Sequence, residues 1–209
     1  MEHTRKLRRW GGFLLLLVLL VTFLIWNLLA GSVRLPASEI WAILHGGGDL
    51  TQRRILLNIR LPRLLAAMIL GGALSVSGFL LQTFFHNPIA GPFVLGISSG
   101  AKFTVAVTMI LLLSRGVTSS SAALIAAAFV GAMLSMGFVL LISRRVRRMS
   151  LLVVCGVMIG YICSAVTDII VAFAQDSNIV NLHNWSMGSF SGMTWGNVAA
   201  AALVVLPCL

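Results

Sequence analysis

The chain has 209 residues, 59% of them hydrophobic and only 10% charged, with a formal net charge of +10 and a mean hydropathy of +1.02. Soluble domains carry about 25% charged residues, so a polar globular surface is excluded and the composition is that of an integral membrane protein. The basic excess does not point to nucleic acid: Arg5, Lys6, Arg8 and Arg9, and later Arg144, Arg145, Arg147 and Arg148, abut apolar runs, where such clusters set membrane topology.

Phe13 to Ala30 is the first apolar run. A signal peptide would have a core of about 7–15 residues and small residues at a cleavage site. This run is longer and has Leu28 where a small residue is wanted, so it reads as a transmembrane helix over 13–30 with its N-terminus in the cytoplasm. Gly31 to Asn58 does not read as spanning. Within it, Pro36-Ala37-Ser38-Glu39-Ile40-Trp41 predicts a short interfacial helix capped by Ser38 and ended by Gly46-Gly47-Gly48-Asp49.

The second span is expected over 61–85, with Pro62 in its first turn. Gly71, Gly72, Ser75, Ser77 and Gly78 would weaken an isolated helix; in a bilayer they allow close approach of a neighbour. Asn87-Pro88 to Gly91-Pro92 breaks the helix. Further spans are expected over 95–113, opening on Gly96 and Gly100 with Lys102 able to snorkel, and over 122–142. Four crossings bring both basic clusters to the same side.

A fifth span is expected over 151–173, rich in Gly156, Gly160 and Ser164. Gln175 to Thr194 reads as an external loop with Trp185 and a Met187-Gly188-Ser189 turn. A sixth span begins at Trp195 and runs to 209, short of the ~20 residues needed to cross, so one transmembrane domain cut at its C-terminus is expected. Cys155, Cys163 and Cys208 lie in apolar runs without metal or redox spacing. No catalytic residue, metal site or cofactor is expected.

Two features resist the topology. Arg53, Arg54, Arg60 and Arg63 fall between the first two spans, on the outside. Loop arginines can meet headgroups, but Arg60 and Arg63 are spaced i, i+3 at an expected helix start, where cations oppose the macrodipole. That suggests an acidic partner outside. Asp168 is the one acid inside a span; a membrane carboxylate is costly, and either a path-lining or an interfacial packing role fits.

Arg60-Leu61-Pro62-Arg63, Gly72-Ala73-Leu74, Ser77-Gly78, Gln82, Asn87-Pro88-Ile89-Ala90 with Pro92, and Leu95-Gly96-Ile97-Ser98 with Gly100-Ala101 occur in order. With Gly156 to Ser164 and Trp185 to Phe190, they resemble the FecCD-type permeases of ABC importers for iron–siderophore complexes, haem and cobalamin. The resemblance implies an all-α polytopic transmembrane bundle with about six of the family's ten helices present. It implies a homodimer or heterodimer, ATP-binding cassette ATPase subunits, an extracytoplasmic substrate-binding protein and surrounding membrane lipid as partners. It gives Arg60 and Arg63 a docking role, and Gly156, Gly160, Ser164 and Asp168 a place along the translocation path. Gly72, Gly78, Asn87, Pro88, Pro92, Gly96 and Gly100 would serve packing and the turn. No Gly-x4-Gly-Lys-Ser/Thr pattern occurs, so another chain would hydrolyse ATP. Iron–siderophore is the first ligand expectation, with haem or cobalamin next. A non-transporting remnant is the alternative. A secondary transporter would need more membrane carboxylates than Asp168.

Overall fold

A computed structural model describes residues 2–114, 117, 120–146, 149–174 and 176–208. Arg115, Arg147, Arg148, Gln175 and Leu209 lie outside the described residues. The described chain is helical: α1 (Glu2–Leu29), α2 (Ala37–Leu44), α3 (Leu50–Ile55), a π-helical turn (Leu56–Arg60), α4 (Leu61–Phe85), α5 (Ile97–Ser114), α6 (Ser121–Ser143), α7 (Met149–Ala172), α8 (Asp176–Met187) and α9 (Trp195–Cys208). Among the described residues four stretches are long and apolar enough to cross a membrane: Lys6–Leu29, Leu50–Phe85, Ser121–Ser143 and Ser150–Ala172. The helices form two compact units, Met1–Gly72 with Phe190–Leu209, and Ala73–Ser189.

In the first unit, α1 exposes Leu14 to Leu17 and Trp26 along its length, as a helix facing lipid tails does. It meets the rest of the unit through its C-terminal end, where Leu28 packs on a small core of Leu35, Ile43 and Leu56 with Ile40, Ile55 and Leu61. The α2 helix starts at Ala37 with Pro36 as its cap and no side-chain cap bond. Ser38 therefore sits inside the first turn and is not the cap that the sequence suggests. Gly46 and Gly48, at φ of 89° and 86°, end α2 as expected. Asp49 then caps α3, accepting from the Thr51 N–H at 3.2 Å.

The α-helical segment α4 has the bounds Leu61–Phe85, but it continues a helical stretch that starts earlier. It runs without interruption from Leu50 to Phe85 over 36 residues, and Pro62 is accommodated inside it. Proline lacks an N–H and its ring crowds the carbonyl four residues back, so an interior proline ordinarily kinks or breaks a helix. Here the turn before it widens to the π form, and the Leu61 N–H bonds to the carbonyl of Leu56, five residues back. Arg60 and Arg63 are therefore interior helix residues, and the helix-start argument about the macrodipole does not apply to them.

In the second unit, α4 ends in a Schellman arrangement. His86 takes the left-handed position at φ 48°, the Asn87 N–H bonds to Gln82 and the His86 N–H to Thr83. Asn87 Oδ1 accepts from the Ile89 N–H at 3.0 Å, and Pro88 follows in the turn. Ala90 and Leu95 are fully buried with Phe85, Leu152 and Val153, so the break expected from Asn87 to Pro92 is a packed turn. The α5, α6 and α7 helices pack together around Val105, Ala106, Met109 and Leu124. The expected external loop contains the helix α8. Leu182 enters the same core, with Trp185 packed against it, because Ile179, Leu182 and Trp185 recur at helical spacing.

Candidate functional site

The residues singled out from the sequence separate into three groups. Arg60 and Arg63, expected to form one pair, have different surroundings. Arg60 is 7% exposed. Its two terminal nitrogens donate to the carbonyls of Leu28 and Val33. The Leu28 carbonyl belongs to the last turn of α1, where helix carbonyls lack internal partners and a cation is favoured by the dipole. Gly31 makes the room: a Cβ there would lie 2.6 Å from Arg60 Nη2. Arg60 thus caps α1 from a distance and is not presented at the surface.

Arg63 is half-exposed. Its Nε–H donates to the carbonyl of Phe190 and its Nη2–H to that of Ser191, both at 3.2 Å. Phe190 opens a tight turn, its carbonyl also accepting from the Met193 N–H at 3.2 Å. The guanidinium has five N–H groups, and two hold this turn. Close by in the same unit, the indole N–H of Trp195 donates to the carbonyl of Leu57 at 2.9 Å. The α9 entry is therefore tied to the long helix by two bonds from Arg63 and one from Trp195. The sequence marks Trp195 only as the start of the sixth span. Pro62 is the signal that was available, since a helix proline must leave a carbonyl wanting a partner.

The second group is the expected path set. Gly156 and Gly160 face α5: a Cβ on Gly156 would lie 2.9 Å from Leu95 Cα, and one on Gly160 3.2 Å from Gly96 Cα. Ser164 Oγ reaches Ser99 Oγ at 3.5 Å. These three residues build a helix crossing, and their small size serves backbone contact. Gly96 completes it, with φ 74° and a would-be Cβ only 2.6 Å from the Gly156 carbonyl oxygen, so it has neither the space nor the conformation for a side chain. Asp168 is exposed and lies one turn beyond Ser164 on α7, on the flank of the face that carries Met158, Tyr161, Ile162 and Ile169.

The third group is the packing set. Gly100 meets α6: its Cβ would collide with Ser135 Oγ and lie 2.8 Å from the Gly131 carbonyl oxygen. Thr104 Oγ1 also donates across to the Ala127 carbonyl at 2.7 Å. Gly72 and Gly78 behave differently. Among the described residues nothing comes within 4 Å of a Cβ at either, so no helix of the described chain uses them for close approach. Among the described residues no cluster of His, Cys, Asp or Glu could hold a metal.

Comparison with known proteins follows the same lines. The FecCD transport family matches residues 17–209. The vitamin B12 import system permease protein BtuC of Klebsiella pneumoniae is 41% identical over 191 residues, covering 91% of this chain and 54% of that protein. The hemin transport system permease protein HmuU of Yersinia pestis is 30% identical, covering 94% of this chain and 58% of its own length. A solved structure of a metal-chelate type ABC transporter in an inward-facing conformation superposes with a TM-score of 0.76 at 25% identity, over 92% of this chain and 58% of that one. The chain thus spans little more than half the length of these relatives.

Proposed function

The chain belongs to the FecCD transport family, and from that premise we propose that it is the membrane-spanning permease part of an ABC importer for a macrocyclic metal chelate. The observation that carries this reading is the family match over residues 17–209, together with permease relatives of 41% and 30% identity. The relatives are named for vitamin B12 and haem. They support a corrinoid or haem ligand ahead of the iron–siderophore complex that the motifs first suggest. A polytopic helical bundle with unoccupied lipid-facing surface along α1 fits a permease subunit, and ATP hydrolysis belongs to a separate cassette subunit.

Within this reading an extracytoplasmic binding protein docks through Arg63, the half-exposed member of the arginine pair. Arg60 supports the site by fixing α1. The chain dimerises with a second permease chain, and its N-terminus lies in the cytoplasm beside Lys6, Arg8 and Arg9. The exposed face of α7, with Asp168 on its flank, lines the path. A strain carrying the intact operon, with this gene deleted and restored, tests the ligand. Restored uptake of labelled cobalamin or haem supports the proposal. Restored uptake of ferric siderophore alone returns the ligand to the first expectation, and no restored uptake of any of the three overturns the importer reading.

A further inference from the structure

The chain that follows α1 returns to the end of that helix. Leu35 packs in the core that receives Leu28, and the Arg60 guanidinium joins the carbonyls of Leu28 and Val33. Arg34 is the next residue, so its backbone is held against the last turn of α1. The result is an open groove of about 830 Å³, walled by Ile25, Trp26 and Leu29 of α1 and by Arg34, Leu35 and Pro36 of the returning segment. Its volume is that of a small-molecule site, which spans about 300–1,000 Å³.

The place of the groove restricts what can fill it. Lys6–Leu29 is long and apolar enough to cross a membrane, so the α1 wall lies in the last turns before the water interface. Trp26 is 63% exposed there, at the level where indole rings are enriched. Arg34 is exposed, and among the described residues it has no hydrogen-bond or ion-pair partner. An arginine at that depth lays its stem along apolar surface and keeps its charged head at the interface. The segment from Ala30 to Pro36 carries no acid that could answer the charge or receive an ammonium group. The groove therefore offers one planar cation beside apolar walls. A water-soluble anion would use only the cation, and an apolar helix only the walls. A phospholipid uses both.

We infer that this groove is a phospholipid site. An acyl chain lies along Ile25, Trp26 and Leu29, and Arg34 donates to the phosphodiester, with anionic headgroups preferred over zwitterionic ones. Guanidinium–phosphate pairs are frequently bidentate, and a basic residue at a membrane surface favours anionic lipid. The Arg60 bridge gives the site its shape, because it fixes Val33 and with it the position of Arg34. The site is independent of the transported ligand and of the role of Arg63.

The test uses the full-length permease–ATPase complex in detergent micelles, titrated with dibrominated phosphatidylglycerol, whose bromine atoms quench a neighbouring indole. The Trp26 signal is the difference between each protein and the same protein carrying Trp26→Phe, which removes the other tryptophans from the reading. Phosphatidylglycerol should quench that signal at about tenfold lower concentration than dibrominated phosphatidylcholine, and Arg34→Gln should abolish the difference. Inorganic phosphate in excess should leave the titration where it is. Equal half-points for the two lipids in the wild type, or a preference that survives in Arg34→Gln, overturns the site. So does competition by phosphate, which would make Arg34 a free-anion site. Absence of Trp26 quenching overturns it as well, since a protein segment or a second copy then fills the groove.

Discussion

The indole N–H of Trp195 donates to the carbonyl of Leu57 at 2.9 Å, and Pro62 is the reason that carbonyl is available. In a regular α-helix the Leu57 carbonyl would accept from the N–H of Leu61. The π turn diverts that N–H to Leu56. The next candidate donor, five residues on, is Pro62, which has none. A single imino acid thus leaves an acceptor on the flank of the long helix, and a tryptophan 138 residues later takes it.

This relationship predicts coupling. Trp195→Phe should destabilise the protein by about 1 kcal/mol through loss of the hydrogen bond. Pro62→Ala restores an N–H and lets the turn return to α geometry. In that background Trp195→Phe should cost clearly less, and thermal unfolding of the four proteins in detergent gives the cycle. Equal costs in both backgrounds would disconnect Trp195 from the proline.

Arg60 and Arg63 should part company in mutagenesis. Arg60→Met leaves the Leu28 and Val33 carbonyls without their donor, and should cost about 2–3 kcal/mol of stability. Arg60→Lys should recover only part, since an ammonium cannot fork between two carbonyls. Arg63→Ala should cost less than about 1 kcal/mol at its half-exposed turn. Thermal stability together with binding-protein affinity separates the two residues: Arg60 variants lose the first, Arg63 variants the second.

The glycines divide in the same way. Gly100→Val pushes methyl groups into the Gly131 carbonyl and Ser135, and should cost about 3 kcal/mol or prevent folding. Gly72→Ala meets nothing within 4 Å and should be neutral or stabilising by up to about 1 kcal/mol from helix propensity. Thermal stability of the two variants checks the contrast. A large loss at Gly72 would mean that a partner surface covers that face of α4.

Asp168→Asn should leave stability within about 0.5 kcal/mol, as a substitution at an exposed site does, while lowering the rate of chelate uptake in the assembled transporter. Unchanged uptake would remove Asp168 from the path and leave it an interfacial residue.

Most helices were legible because their signals are local. The apolar runs, the Asn87-Pro88 turn with its Asx bond, and the Gly96 and Gly100 crossings follow from hydropathy, turn chemistry and residue size. Three features were not legible for physical reasons. The second span was started at Leu61, with Pro62 in its first turn, because proline ordinarily marks a first turn, and the widened turn that joins it to the preceding helix has no sequence mark of its own. The helix α8 was missed because Ile179, Leu182 and Trp185 make a thin apolar stripe in an otherwise polar stretch. The glycines of α7 were assigned to a path, although smallness serves backbone contact equally well and only the position of α5 decides between the two. The i, i+3 spacing suggested that Arg60 and Arg63 act as one pair. What the spacing could not contain was the α1 end and the Phe190 turn, which lie far away in sequence and give each arginine a different partner.

The most direct measurement is ATPase activity of the full-length permease–ATPase complex in nanodiscs, stimulated by the purified binding protein. With Arg63→Glu the stimulation should vanish while the unstimulated rate stays at the wild-type level. Full stimulation with Arg63→Glu in place would contradict a permease that receives its ligand through this surface.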